Sequence, residues 1–204
     1  MGQVWAVTVS CAVEGTVDEA VVRKVVAEAG LDVGTVYGRQ GKQFLLQRVD
    51  GWNRAAGRGL WLVLVDLDQD YDCAPPALQA WLPRRASGMN LRVAVRSVEA
   101  WLLADRDRFA RFIGVSRTLI PRNPEVDPDP KRTVVGLASR SHKTRMREDL
   151  VPRPRSGRSE GELYVSRMIE YVHAHWRPRI AAETAHSLRR CLGRLDQLAQ
   201  KGEC

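Results

Sequence analysis

"LWLVLVD", Leu60 to Asp66, is the strongest strand in the chain, and its place between two helix-like stretches decides how the rest is read. Upstream, residues 42–56 read as a helix, residues 33–37 as a short strand and residues 16–29 as a helix. That last helix carries Val21, Val22, Val25 and Val26 along one face, with Gly30 as its stop. Before it, residues 4–13 form an apolar, β-branched run that reads as a buried strand. Downstream come "APPALQAWL", a helix with proline in its first turn, then "LRVAVRS", a strand over residues 91–97, then "VEAWLLADRDRFARFIG", a helix. Strand and helix alternate throughout. Parallel strands need crossover connections long enough to hold a helix, so the expected fold class is α/β, a mostly parallel sheet flanked by helices.

Past Ile120 the pattern changes. "IPRNPEVDPDPK" holds four prolines in twelve residues, and "SRSHKTRMREDLVPRPRSGRSEG" is basic and rich in turn-formers, so this part reads as a linker or surface excursion. Two helical patterns follow. Val165, Met168, Ile169, Val172 and Trp176 share one face, and Ala181, Leu188, Cys191, Leu192, Leu195 and Leu198 another, with Arg177-Pro178 at the joint. The expected organisation is an α/β unit over residues 1–112, a connecting segment over 113–159 and a C-terminal helical extension over 160–204 packed on the core.

Composition narrows the classes. With 204 residues, 44% hydrophobic and 27% charged, the chain is large enough for a real core and ordinary enough to exclude disordered and fibrous types. No apolar run approaches the roughly 20 residues that cross a bilayer, and the first residues lack the basic region of a signal peptide, so a cytoplasmic protein with no membrane association is expected. Cys11, Cys73, Cys191 and Cys204 are scattered, with Cys11 a core candidate and Cys204 a tail thiol; neither a zinc site nor a disulfide framework is suggested. Residues 1–130 carry 16 Lys+Arg and 16 Asp+Glu, whereas residues 131–204 carry 16 and 8, so the net +8 lies wholly in the last part. That asymmetry, with a pI near 9.8, points toward an anionic partner such as nucleic acid.

The acids gather where the strands end. Glu14 and Asp18 follow the first, Asp66, Asp68, Asp70 and Asp72 the third, and Ser97 and Glu99 the fourth. In open α/β sheets ligands bind beyond the carboxyl ends of the strands, so these carboxylates converge on one crevice. Each alone has an ordinary reading: Glu14-Gly15 as a turn, Asp18 and Glu99 on helix dipoles, Ser97 as an N-cap, "DLDQDYD" as a solvated loop. Together they crowd like charges, which a hard divalent cation with oxygen ligands relieves. Magnesium is the economical choice. "DLDQDYD" is not a calcium loop, since counting from Asp66 puts Tyr71 sixth and Ala77 twelfth where glycine and glutamate are needed. "GRQGKQ", Gly38 to Gln43, lacks the spacing of a nucleotide phosphate loop and reads as a turn and helix start, with Lys42 a weak candidate for touching phosphate.

"VEGTVDE" behind the first strand, "LVLVDLD" on the third and Ser97-x-Glu99 after the fourth together resemble the Toprim domain, most closely that of the OLD-family nucleases. The resemblance covers about residues 4–112. It implies a Toprim-like fold and a metal-dependent nuclease hydrolysing phosphodiester bonds of DNA or RNA, with two Mg²⁺ or Mn²⁺ ions. Glu14, Asp66 and Asp68 would be the essential ligands, Asp18 and Glu99 would complete the sites, and Ser97 would add a hydroxyl. A family lysine steadies the phosphate, and Lys131 or Lys143 is available for it. The basic residues Arg145, Arg147, Arg153, Arg155 and Arg158 would hold the nucleic-acid backbone. The OLD proteins carry an ATPase domain that this sequence does not resemble. The chain therefore looks like a stand-alone effector of a bacterial anti-phage system, controlled by a separate ABC/AAA-type ATPase and able to form a homodimer. Two other readings remain open: a weakly active or non-catalytic regulatory subunit docking on an ATPase, and a Toprim-type small-molecule phosphohydrolase.

Overall fold

The computed structural model describes residues 7–202. Its elements run β1 (Thr8–Val13), α1 (Thr16–Glu28), β2 (Asp32–Gly38), α2 (Lys42–Ala55), β3 (Leu60–Asp66), α3 (Ala74–Trp81), β4 (Met89–Ala94), α4 (Val98–Ala104) and α5 (Arg106–Ile113). Short 3₁₀ turns at Arg117–Leu119 and Pro124–Val126 lead to α6 (Pro130–Ser139) and α7 (Thr144–Leu150), and the chain closes with α8 (Tyr164–Ala174), α9 (Pro178–Ala181) and α10 (His186–Gly202). The fold is α/β, with four parallel strands in the order β2-β1-β3-β4, helices on both faces and a C-terminal helical region. The first three residues of the expected first strand, positions 4–6, and the tail thiol Cys204 lie outside the described residues.

Alternation along the strands explains the two layers. Val9, Cys11 and Val13 of β1 and Leu62 and Leu64 of β3 face α1 and the C-terminal helices in one large core. Ala12, Val63, Val65 and Leu91 face the other way, onto Leu45 and Val49 of α2 and Leu82 behind α3. The connection after β1 runs to one side of the sheet and the connection after β3 to the other. That reversal leaves a crevice beyond the carboxyl ends of β1 and β3, the position where such sheets take ligands.

Two expectations change on inspection. Residues 113–159 read as a linker or surface excursion, but as far as Leu150 they form short helices that join the main core through Ile120, Val134, Leu137, Ala138, Met146 and Leu150, and only residues 151–159 run as an irregular, mostly exposed stretch. The prolines that suggested a linker serve as starts instead: Pro124 opens a 3₁₀ turn and Pro130 sits in the first turn of α6, where a missing N–H costs nothing. The long helix expected over residues 98–114 is divided at Asp105. The wholly buried carboxylate of Asp105 accepts from the Arg108 amide at the start of α5, and from the Arg177 amide, Nε and Nη2 at 3.1, 2.9 and 2.6 Å.

The C-terminal helices are clamped to the sheet by a second polar network. Glu125 accepts from the amides of His186 and Ser187, both at 2.9 Å, and so caps α10. The Ser187 hydroxyl accepts from the Val95 amide at 3.2 Å and from the Trp101 indole at 2.7 Å. Among the described residues no helix is long and apolar enough to cross a membrane.

Candidate functional site

The acids named from the sequence meet at the crevice. A cleft of about 520 Å³ is lined by Glu14, Asp18, Asp66, Asp68, Ser97 and Glu99, together with Lys131 and Tyr164. Glu14 leaves the end of β1, and its Oε1 accepts from the Asp66 amide at 2.7 Å. Asp66 ends β3, and its Oδ1 accepts from the Val98 amide at 3.1 Å, the first residue of α4. Glu99 accepts from the Ser97 hydroxyl at 2.7 Å and from the Tyr164 hydroxyl at 3.2 Å. Asp18 stands in the first turn of α1 and Glu99 in the first turn of α4, where the helix dipole favours a negative charge.

Asp18 is different from its neighbours. It is only 7% exposed, yet its Oδ1 has no hydrogen-bond partner, the one buried side-chain oxygen among the described residues in that position. Gly15 makes room for it: a Cβ there would come within 2.9 Å of Asp18 Oδ2 and press on the carboxylate. The Asp18 and Gly15 amides offset part of the cost of burying this carboxylate, and the oxygen left without a donor or a counter-charge remains disfavoured.

The electrostatics express this crowding. Burial raises the Glu14 carboxyl to about 7, opposed by the Asp66 amide bond and reinforced by the Asp18 charge. Burial and the Glu99 charge raise Asp18 to about 6. Asp66 is pushed well above the usual carboxylate range by burial and then by Asp18, Glu99 and Glu14. The Tyr164 phenol is held protonated by burial and by the Glu99 charge it faces.

The loop after β3 is shaped by two residues with left-handed backbone, Asp68 (φ 52°) and Arg96 (φ 62°). They extend the β3–β4 pairing past its end: the Asp68 amide donates to the Arg96 carbonyl at 2.8 Å, and Arg96 Nη1 donates to the Asp68 carbonyl at 2.9 Å. Such backbone costs of order 1 kcal/mol or more for a non-glycine residue and persists where surrounding bonds hold it. Lys42, at the start of α2, reaches the same loop, with Nζ 3.0 Å from Asp68 Oδ2, 2.6 Å from Asp70 Oδ2 and 3.3 Å from the Leu67 carbonyl.

Among the described residues no three His, Cys, Asp or Glu form a ready-made metal cage. The carboxylates are turned onto the amides, hydroxyls and ammonium just described. The donor set nevertheless fits a hard divalent ion: oxygens only, several like charges in one cleft, and a buried carboxylate oxygen that lacks a partner.

The basic residues divide. Lys131 lines the cleft, paired with Glu160 at 2.9 Å and lying 5.2 Å from the centre of the Tyr164 ring. Arg158 lines an adjoining hollow with Glu160 and Tyr164. Lys143 does not reach the cleft: its Nζ donates to the carbonyls of Arg111 and Phe112, at 2.7 and 3.1 Å, and satisfies the end of α5. Arg147 is spent on the Ser141 carbonyl and the Thr144 hydroxyl. Arg145 and Arg153 are highly exposed and weakly paired, 3.9 Å from Asp149 and 3.8 Å from Glu162, and Arg155 is exposed with a left-handed backbone. Tyr164 and Arg96 were not singled out by the sequence. Nothing in the helical periodicity of "ELYVSRM" distinguishes a tyrosine that ends on a carboxylate from one that only fills the core.

Comparison of the chain with protein-family models, with curated proteins and with solved structures yields no match.

Proposed function

We propose that this protein is a Mg²⁺- or Mn²⁺-dependent nuclease of the Toprim type that hydrolyses phosphodiester bonds in DNA or RNA. The observation that carries the reading is the buried Asp18 carboxylate, with a partnerless oxygen, in the same cleft as Glu14, Asp66, Asp68 and Glu99. A cluster of that kind is unfavourable in an isolated fold and favourable around a cation. The order of the motifs, shared with the OLD-type pattern, supports the choice of reaction.

Glu14, Asp18, Asp66 and Glu99 would hold the metal, with Asp68 at the edge of the cleft and paired to Lys42, and Ser97 and Tyr164 would orient Glu99 through their hydroxyls. A bound divalent ion supplies Lewis acidity at a phosphate oxygen and a water acidified for attack. The chain's own contribution is positional. The Asp66 amide fixes Glu14, the Val98 amide fixes Asp66, and the paired loops ending in Asp68 and Arg96 set the floor of the cleft. Of the two candidate lysines, Lys131 would be the one to meet a phosphate, because it lines the cleft and Lys143 does not. Arg158 and the exposed Arg145, Arg153 and Arg155 would add backbone contacts without sequence preference. By the same resemblance the chain would act as an effector in an anti-phage system, governed by a separate ATPase.

The test is a cleavage assay on the purified chain, with supercoiled plasmid and total RNA in parallel, in magnesium, manganese or chelator, against Asp66→Asn and Asp18→Asn. Metal-dependent cutting by the wild type, absent in both folded variants, is the expected result and identifies the substrate. Cutting that survives in chelator or in both variants would overturn the reading. Silence from folded protein on both substrates, with and without a candidate ATPase partner, would favour a non-catalytic subunit.

A further inference from the structure

We propose that the ammonium of Lys42 permanently holds the place of a second cation at the Asp68–Asp70 loop, so that the carboxylate centre takes one divalent ion and not two. The inference rests on the metal-centre reading above and deepens it.

Lys42 Nζ is held as a bound cation would be. Three oxygens surround it, Asp70 Oδ2 at 2.6 Å, Asp68 Oδ2 at 3.0 Å and the Leu67 carbonyl at 3.3 Å, and the Trp81 ring lies 5.2 Å away on a further side. An ammonium has three protons to donate, and these three acceptors use them. The aromatic face adds attraction for the same charge. The arrangement is asymmetric in burial: the Lys42 side chain is 17% exposed, whereas Asp68 and Asp70 are 53% and 51% exposed. The cation is thus the fixed partner and the carboxylates close over it.

Lys42 also comes from a different element than the acids. It sits at the start of α2, directly after Gly41, whose positive φ of 84° turns the chain into the helix. The lysine is therefore placed by the fold and does not depend on the acidic loop to find its position. A divalent ion drawn to Asp68 and Asp70 would meet a fixed positive charge already bonded to both. An ion bound among Asp18, Asp66 and Glu99 would not, because the described hydrogen bonds and ion pairs of Lys42 reach none of those three.

Ion stoichiometry separates the possibilities without reference to activity. Mn²⁺ binding to the full chain would be counted by equilibrium dialysis and by the loss of the free-ion paramagnetic resonance signal, for the wild type, Lys42→Met and Lys42→Gln. Circular dichroism would establish that each variant is folded. The expected result is one Mn²⁺ per wild-type chain, two in either variant, and a return to one when Asp68→Asn is added to Lys42→Met. Two ions of similar affinity in the wild type, or a single ion in both folded variants, would overturn the inference while leaving the metal centre intact. No Mn²⁺ bound by folded wild type would remove the metal-centre reading and this inference with it.

Discussion

Glu14 accepts a 2.7 Å hydrogen bond from the backbone amide of Asp66, a residue 52 positions further along, and so ties together the ends of β1 and β3 at the point where the sheet's connections diverge. The bond gives Glu14 two separable tasks, holding strand ends together and presenting a charge. Glu14→Gln keeps an acceptor and loses the charge, so it should abolish metal-dependent cleavage with little change in denaturation midpoint. Glu14→Ala leaves the Asp66 amide without its partner and should cost in addition about 1–3 kcal/mol, read by urea unfolding in chelator.

Asp18→Asn replaces a buried charge with a neutral group of the same shape. In chelator the variant should therefore be more stable than the wild type, by about 1–2 kcal/mol on the scale of burying an unpaired polar group. The magnesium-induced rise in melting temperature should shrink at the same time. A variant less stable than wild type in chelator would mean that the carboxylate is satisfied as it stands.

The pH response of the metal-free protein follows in sign from the raised carboxyls. Glu14 rises from 4.5 to about 7 and Asp18 from 3.8 to about 6, so between these limits the folded chain binds more protons than the unfolded one. The contribution of these two carboxyls to stability in chelator should be greatest at and below about pH 4 and fall as pH rises towards 7, by more than about 1 kcal/mol, since one unit corresponds to about 1.4 kcal/mol. Added Mg²⁺ should flatten or reverse that slope. Thermal melts across pH, with and without the ion, provide the check.

Tyr164→Phe removes one hydroxyl from the buried Glu99 pair and little else. Groups that orient a metal ligand typically govern affinity by about 10–100-fold, so Mn²⁺ binding measured calorimetrically should weaken by roughly 10-fold while the circular dichroism spectrum is unchanged. Unaltered affinity would assign Tyr164 to core packing alone.

The two candidate lysines should now behave differently. Lys131→Ala should weaken nucleic-acid binding and reduce the salt dependence of the binding constant by about one counterion, as expected for a lost phosphate contact. Lys143→Met should leave binding and its salt slope intact and instead destabilise the fold by about 1 kcal/mol, the value of the carbonyl bonds it makes to Arg111 and Phe112. Fluorescence anisotropy over a salt series distinguishes them.

The fold was most legible where local chemistry and tertiary packing agree. The run from Leu60 to Asp66 is a strand over those residues, and the helix expected from Thr16 ends one residue early, at Glu28. Legibility failed at Leu91 to Ser97, because β4 spans Met89–Ala94 and releases the chain where Arg96 turns left-handed. No hydrophobic pattern announces that turn. It failed again at Asp105, which divides one amphipathic run into two helices through Arg177, 72 residues away. The clustering of Glu14, Asp18, Asp66, Asp68, Ser97 and Glu99 around one cleft followed from strand order, whereas the contribution of Tyr164 depended on how α8 docks.

That docking sets a timetable for the molecule. Glu99 is synthesised 65 residues before the tyrosine that holds it, and the sheet edge at Val95 waits 92 residues for Ser187. All the acids therefore leave the ribosome before the hydroxyl and the helix cap that fix their surroundings. Ribosome-bound chains stopped short of Tyr164 should accordingly bind Mn²⁺ more weakly than chains extended past Ser187. The cleft and its acids are thereby brought to their final arrangement only late in the chain's own translation.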